Sequence, residues 1–159
     1  MSTATPATGF LDRQSLSYEV FEYDYGGGDG PIGLQAAEAI GWAPERVFKT
    51  LMVELDGKPA CAVIPSDRSL SMKKIAKALK GKSAVMMAPV KAERLTGFHT
   101  GGISPFGQKK SVPTVFDDTI LTVEAPVVIN GGKRGLMVCL DPAPAIEALR
   151  TSVASISVE

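Results

Sequence analysis

The chain has 159 residues, 45% of them hydrophobic and 21% charged, with 17 basic side chains balanced by 17 acidic ones. That is enough apolar surface for one core and too little charge for an unfolded chain, so a single domain over residues 1–159 is expected, its first eight residues flexible. No apolar run approaches the ~20 residues of a membrane span, and the opening MSTATPATGF lacks the basic-then-apolar order of a signal peptide; no membrane role and a cytoplasmic location follow.

Residues 5–16 carry a weak amphipathic helical pattern and residues 18–25 the alternation of a strand. Gly26, Gly27, Gly28 and Gly30 then loosen the chain before Pro31. They match neither GxxxxGK[ST] nor a strand–GxGxxG–helix unit, so a mobile loop or lid is expected rather than a phosphate cradle. A short helix follows over 34–40, closed by Gly41. Residues 46–55 and 59–65 read as a hairpin around Asp56-Gly57, a dipeptide that favours tight antiparallel turns. The spacing predicts a helix over 71–80, capped by Ser71, ended by Gly81, and buried along Met72, Ile75, Ala76 and Leu79. A strand over 84–87 and a helix over 89–95 come next, then a long loop, 96–113, with Gly97, Gly101, Gly102 and Gly107. Strands are predicted over 114–116, 121–129 and 136–140, the last two joined by a turn at 130–135. Asp141 starts a final helix, and 152–158 alternates like an edge strand. Hairpins with irregularly interspersed helices imply an α+β domain: a mixed, largely antiparallel, barrel-like sheet with short helices around it.

Several chemistries lack their residues. Cys61 and Cys139 both lie in apolar stretches, which argues for buried strand cysteines rather than a disulfide framework. His99 is the sole histidine, too few for a zinc site, and there is no GxSxG or HExxH. What remains is cationic and backbone-rich. From Arg68 to Lys110 there are ten basic residues and one acid, Glu93, a polarity that suits a polyanion or, equally, a solvated helix face. In the strand VFKTLMV, alternation puts Lys49 on the same side as Val47, Leu51 and Val53, where a lysine must snorkel, pair or line a cavity. Two turns, Gly101-Gly102-Ile103-Ser104 and Gly131-Gly132-Lys133-Arg134-Gly135, let the main chain approach a ligand and offer N–H groups to a carbonyl oxygen or phosphate.

VFKTLMV, the lysine helix, GGISPFGQKKSVPTVFD and NGGKRGL occur in that order, and with them the chain resembles the YbaK-type aminoacyl-tRNA deacylases, relatives of the editing domain inserted in bacterial prolyl-tRNA synthetases. The resemblance runs over residues 17–149. It implies hydrolysis of the ester joining a wrong amino acid to tRNA, typically cysteine on proline tRNA, with no metal or organic cofactor. It marks Lys49 as the key lysine, puts Gly101 and Gly102 beside it as catalytic backbone, and sets Tyr23, Ile103, Ser104, Gly131, Gly132, Lys133, Arg134 and Gly135 around the substrate. One departure stands out: the family commonly has aspartate where this chain has Met137, a substrate-side position. Lys73, Lys74, Lys77, Lys80, Lys109 and Lys110 are the expected tRNA contacts. The implied partner is the acceptor end of aminoacyl-tRNA, with prolyl-tRNA synthetase a second candidate. In cysteinyl-tRNA the substrate's own thiol can attack the ester, so no protein nucleophile is needed. The alternatives are a deacylase for alanine or serine using an ordered water, and a non-catalytic tRNA-binding module.

Overall fold

The computed structural model describes residues 3–24 and 32–159, the side chains of 32–34 excepted. The glycine stretch read as a lid (Gly26, Gly27, Gly28, Gly30) lies outside the described residues. Helix α1 (Pro6–Arg13) starts earlier than a flexible first eight residues would allow. The Thr5 hydroxyl accepts from the Thr8 N–H at 3.1 Å while the Thr8 hydroxyl accepts from the Thr5 N–H at 2.9 Å, and Ala7, Thr8 and Leu11 are buried.

Strand β1 (Glu19–Glu22) and helix α2 (Ile32–Ile40) precede the central hairpin of β2 (Val47–Leu55) and β3 (Lys58–Pro65). Both turn residues have positive φ, 51° at Asp56 and 82° at Gly57, as a two-residue hairpin turn requires. A two-residue strand β4 (Ser69–Leu70) leads to helix α3 (Met72–Ala78), and β5 (Ala84–Met86) leads to helix α4 (Pro89–Thr96). After the long loop come β6 (Thr114–Asp117), β7 (Val127–Lys133), β8 (Leu136–Leu140), helix α5 (Pro142–Leu149), β9 (Ser152–Ala154) and β10 (Ser157–Val158). The main sheet runs β1-β8-β7-β2-β3-β6-β9, with β5 added to β2, and β10 pairs β4 separately. Hairpin partners are antiparallel, whereas β2–β7, β3–β6 and β6–β9 are parallel, so the sheet is mixed as expected. No β1–β9 pairing closes it into a barrel among the described residues.

The period of two in β2 and β3 sends alternate side chains to different cores. Phe48, Met52, Cys61 and Val63 pack with Phe106, Phe116 and Ile129, while Val53, Ala62 and Ile64 pack with Ile75 and Ala76 of α3. Ser71 caps α3 by accepting from the Lys74 N–H at 3.1 Å, but Lys80, not Gly81, takes the left-handed conformation that ends it, at φ 61°. Gly81 is needed for space, since a Cβ there would lie 2.4 Å from Leu55 Cδ1. Of the strand predicted over 121–129 only Val127 to Ile129 are strand, the start of β7: Leu121 ends a 3₁₀ turn over Asp118–Leu121, which Asp117 caps, and residues 122–126 are turn and irregular chain. The turn predicted over 130–135 is mostly strand, because β7 continues through a bulge between Asn130 and Lys133 and turns only at Arg134-Gly135.

Asp117 ties the chain's end to this frame. Its Oδ1 accepts from the Ile156 and Ser157 N–H groups, each at 3.0 Å, and its Oδ2 from the Thr119 hydroxyl at 2.7 Å. Burial alone would raise its pKa, but those donors outweigh burial and hold the carboxyl below its ordinary value. A depressed carboxylate stabilises the fold above its unfolded pKa of ~3.9 and loses that contribution as pH falls through the folded value. Asp117→Ala, which strands two buried N–H donors, is expected to lower unfolding free energy by at least ~2 kcal/mol at neutral pH and to flatten the acid limb of the stability profile, both measurable by urea titration between pH 3 and pH 7.

Candidate active site

Because β3 occupies one edge of β2 from Phe48 to Leu55, β5 and β7 share the other edge. Strand β7 pairs at Val47 and Phe48 and β5 at Val53 to Leu55, so Lys49 to Met52 have no strand partner on that side among the described residues. A cavity of about 360 Å³ opens in the gap. Its floor is Phe48 to Met52; Met86, Met87, Pro89 and Ala92 form one wall, and Thr100, Gly101 and Ile103 another. Asn130, Met137, Ala36 and Tyr23 complete it.

Among the described residues, Lys49 is the only charged side chain in that lining. It is half-buried, and its Nζ donates to the Ser66 carbonyl at 3.4 Å. Burial lowers its pKa and the nearby Asp67 carboxylate pulls it partly back. Ser66 is itself fixed: its N–H donates to the Val47 carbonyl at 2.8 Å and its hydroxyl to the Pro44 carbonyl at 2.9 Å. The lysine expected to snorkel, pair or line a cavity therefore lines one.

The glycine turns meet on the opposite wall. Asn130 Nδ2 donates to the Gly101 carbonyl at 3.2 Å, and Asn130 Oδ1 accepts from the Gly132 N–H at 2.7 Å. Arg134 Nε donates to the Thr100 carbonyl at 2.7 Å, and Glu93 Oε2 accepts from the Thr100 N–H at 2.7 Å. Gly101 has φ 89° and Gly132 φ 99°, a region that side chains rarely adopt.

Of the expected site residues, Lys49, Tyr23, Gly101, Ile103 and Met137 line the cavity. Gly102 does not: its N–H donates to the His99 carbonyl at 2.8 Å, and it packs against the backbone of Lys133 and Arg134. Ser104 is fully buried, with its hydroxyl accepting from the Phe106 N–H and its carbonyl from Gln108 Nε2, so it shapes the loop from behind. Gly131, Gly132, Lys133, Arg134 and Gly135 also lie outside the lining and support it through Asn130 and Thr100. On α3 and just beyond it, Lys73, Lys77 and Lys80 are exposed, as are Lys109 and Lys110, but Lys74 is committed to the tail, donating to the Ser157 carbonyl at 3.1 Å. Sequence reasoning missed Asn130, Thr50 and the Met86-Met87 pair. The asparagine opening NGGKRG and the doubled methionine before Pro89 were the available signals.

Among the described residues, the lining holds no cysteine, histidine, serine or carboxylate. Cys61 is buried and its thiol is pushed up to about 12; burial also raises Cys139. His99 stands exposed, 3.9 Å from Glu93. A Cβ at Gly102 would sit 2.7 Å from Lys133 Cα and 2.8 Å from Arg134 N, backbone that cannot rotate aside. Gly102→Ala should therefore part the two turns, costing ~1–3 kcal/mol of stability and distorting the Gly101 wall. Gly41→Ala, where nothing lies within 4 Å, is the thermal-melt control for a glycine whose only demand is positive φ.

The aminoacyl-tRNA editing domain family matches residues 34–147 of this chain. Over 141 residues the chain is 33% identical to "Putative Cys-tRNA(Pro)/Cys-tRNA(Cys) deacylase EbsC" of Enterococcus faecalis, covering 87% of this chain and 84% of that one. A stretch of 94 residues is 31% identical to a proline–tRNA ligase of Nitratidesulfovibrio vulgaris (strain DP4), covering 59% of this chain and 16% of the ligase. In fold the chain superposes on a solved structure described as "a putative trans-editing enzyme for prolyl tRNA synthetase", with TM-score 0.86 and 20% identity, over 100% of this chain and 99% of the other. With the match spanning most of the chain, this protein belongs to the aminoacyl-tRNA editing domain family and is a hydrolytic editing enzyme.

Proposed function

We propose that the protein cleaves mischarged aminoacyl-tRNA in trans, with cysteinyl-tRNA(Pro) its principal substrate and the substrate's thiol as nucleophile. The observation that carries this reading is the cavity lining, which offers a cation and main-chain groups but, among the described residues, no side chain activated to attack an ester. A free thiol has a pKa of ~8.5, so a few per cent is thiolate near neutrality, whereas a serine hydroxyl is essentially never ionised. The thiolate sulfur bonds to its own ester carbonyl carbon, the bond from that carbon to the ribose oxygen breaks, and the ribose oxygen takes a proton. Water then opens the cyclic thioester to free cysteine.

The protein's task in this scheme is the pose and the developing charge. A well-oriented internal nucleophile can reach effective molarities of ~10⁵ M, and each donor aimed at the oxyanion adds ~10²-fold or more. Lys49, held against Ser66, is the cation of the cavity floor in this scheme. Gly101 lets the opposite wall come close at a backbone conformation a side chain would strain.

Lys49→Ala is expected to reduce single-turnover deacylation of cysteinyl-tRNA more than tenfold with an unchanged melting curve, since a hydrogen bond to a charged group is worth ~1.5–3 kcal/mol. Cys61→Ala and His99→Ala, assayed alongside, should keep their rate within threefold; a hundredfold loss in either would require a protein nucleophile or base.

For tRNA binding the exposed cations Lys73, Lys77, Lys80, Lys109 and Lys110 are the candidates, with Lys74 set apart because it holds the tail. Replacing Lys73, Lys77 and Lys80 with glutamine should weaken tRNA binding and reduce the slope of log K against log salt by up to ~0.7–0.9 for each phosphate no longer neutralised, while leaving the rate on saturating substrate unchanged. Unaltered binding and slope would make the helix face merely solvated.

A further inference from the structure

Four of the chain's six methionines, Met52, Met86, Met87 and Met137, line this cavity. They arrive from different places: Met52 from β2, Met86 and Met87 from the end of β5 and the link beyond it, and Met137 from β8. Three are buried, and Met86 is half exposed. A methionine in a core usually fills an irregular gap. Here the four thioethers leave a gap open and coat it, giving a soft, polarisable surface with almost no capacity for hydrogen bonding.

Several polar groups of the lining are already engaged or shielded. Asn130 uses its amide at both ends, on Gly101 and Gly132, and Lys49 Nζ is directed at Ser66. The Thr50 hydroxyl oxygen is buried away from solvent without a partner, so it is not presented as a receptor for an incoming group. A substrate side chain entering this space gives up its water. A thiol behaves as a small hydrophobe and loses little, and a methyl group loses nothing, but a hydroxyl gives up hydrogen bonds that the wall does not replace.

Resting on the deacylase reading above, we propose that the methionine wall is a polarity filter, with Met137 a specificity-determining residue: the cavity admits short aminoacyl side chains ending in a thiol or methyl and rejects the isosteric side chain ending in a hydroxyl. Apolar pockets discriminate against an added hydroxyl by about 100-fold at best, so a seryl group should bind about 10- to 100-fold more weakly than an α-aminobutyryl group.

The test uses hydrolysis-resistant 3′-aminoacylamino-adenosines, in which an amide replaces the ester, carrying cysteinyl, α-aminobutyryl or seryl groups. Their dissociation constants for the full chain are measured by calorimetry, and single-turnover hydrolysis of the matching tRNAs is followed in parallel. Expected is a seryl complex at least tenfold weaker than the α-aminobutyryl one, with the ratio falling below threefold in Met137→Asp or, should that variant unfold, in the volume-matched Met137→Gln. A wild-type ratio under tenfold, or no analogue binding at millimolar concentration, overturns the filter; a ratio unmoved in the folded Met137 variant overturns the role of that residue. Discrimination in binding without hydrolysis of any tRNA would uphold the filter and sink the deacylase reading, whereas hydrolysis without discrimination would do the reverse.

Discussion

Strand β2 has β3 along one side, so β7 and β5 both bind its other side, and they reach only its two ends. Each is stopped by something local. Strand β7 leaves at the bulge after Asn130, where Gly132 has φ 99° and its N–H is taken by the Asn130 side chain. Strand β5 gives way to α4, whose first residue, Pro89, has no N–H to offer a ladder. Between them the Met87 N–H still reaches the Met52 carbonyl at 3.1 Å, so the gap is bounded at that end. A sheet interior, normally the driest and most filled part of such a domain, is thereby opened at one place, and side chains from both faces of β2 line the opening: Lys49 and Leu51 from one, Phe48, Thr50 and Met52 from the other.

Placing an ammonium group in that opening has a cost. Desolvation disfavours the charged form, and the methionine and aliphatic walls add no compensating dipole. What retains the charge is the turn after β3: the Ser66 carbonyl accepts from Nζ, and Asp67 beside it favours the protonated form. That turn is held from outside the cavity. Arg68 Nε donates to the Ser157 hydroxyl at 2.6 Å, the Ser71 N–H donates to the Ile156 carbonyl at 2.8 Å, and Asp117 receives both Ile156 and Ser157 N–H groups. The C-terminal strand is thus part of the support for Lys49, although it is absent from the cavity lining.

Where a residue's role follows from its immediate neighbours, the sequence was a good guide. Ser71 capping α3, Asp56-Gly57 turning the hairpin, and Lys49 on its strand face all rest on spacings of a few residues. The failures share a cause. Lys80 rather than Gly81 takes the left-handed turn, and Gly81 instead sits against Leu55, from a strand over twenty residues earlier. Gly102 looked like a ligand-facing glycine, but its missing side chain makes room for Lys133 and Arg134, and that contact exists only once β7 and the 96–113 loop are assembled. Asn130 carries no local signature of its task, since its partners are a carbonyl from another loop and an N–H freed by a bulge. The parallel pairing of β2 with β7, which creates the gap, joins segments some eighty residues apart and leaves no periodic trace.

The disposition of sulfur in this domain follows the same division between structure and chemistry. Cys61 lies one strand away from the cavity, its sulfur near Gln108 Nε2 at 3.7 Å, and burial raises its thiol so far that thiolate is negligible at neutral pH. The thioethers that do reach the cavity cannot ionise and do not attack esters. Among the described residues, a thiol delivered by a substrate would therefore be the only sulfur in the space able to become a nucleophile, and it would meet the lysine there. Under the thiol mechanism proposed above, selection of the side chain and supply of the nucleophile are one event: a ligand that fits among the methionines but lacks the thiol would leave its ester to attack by water alone.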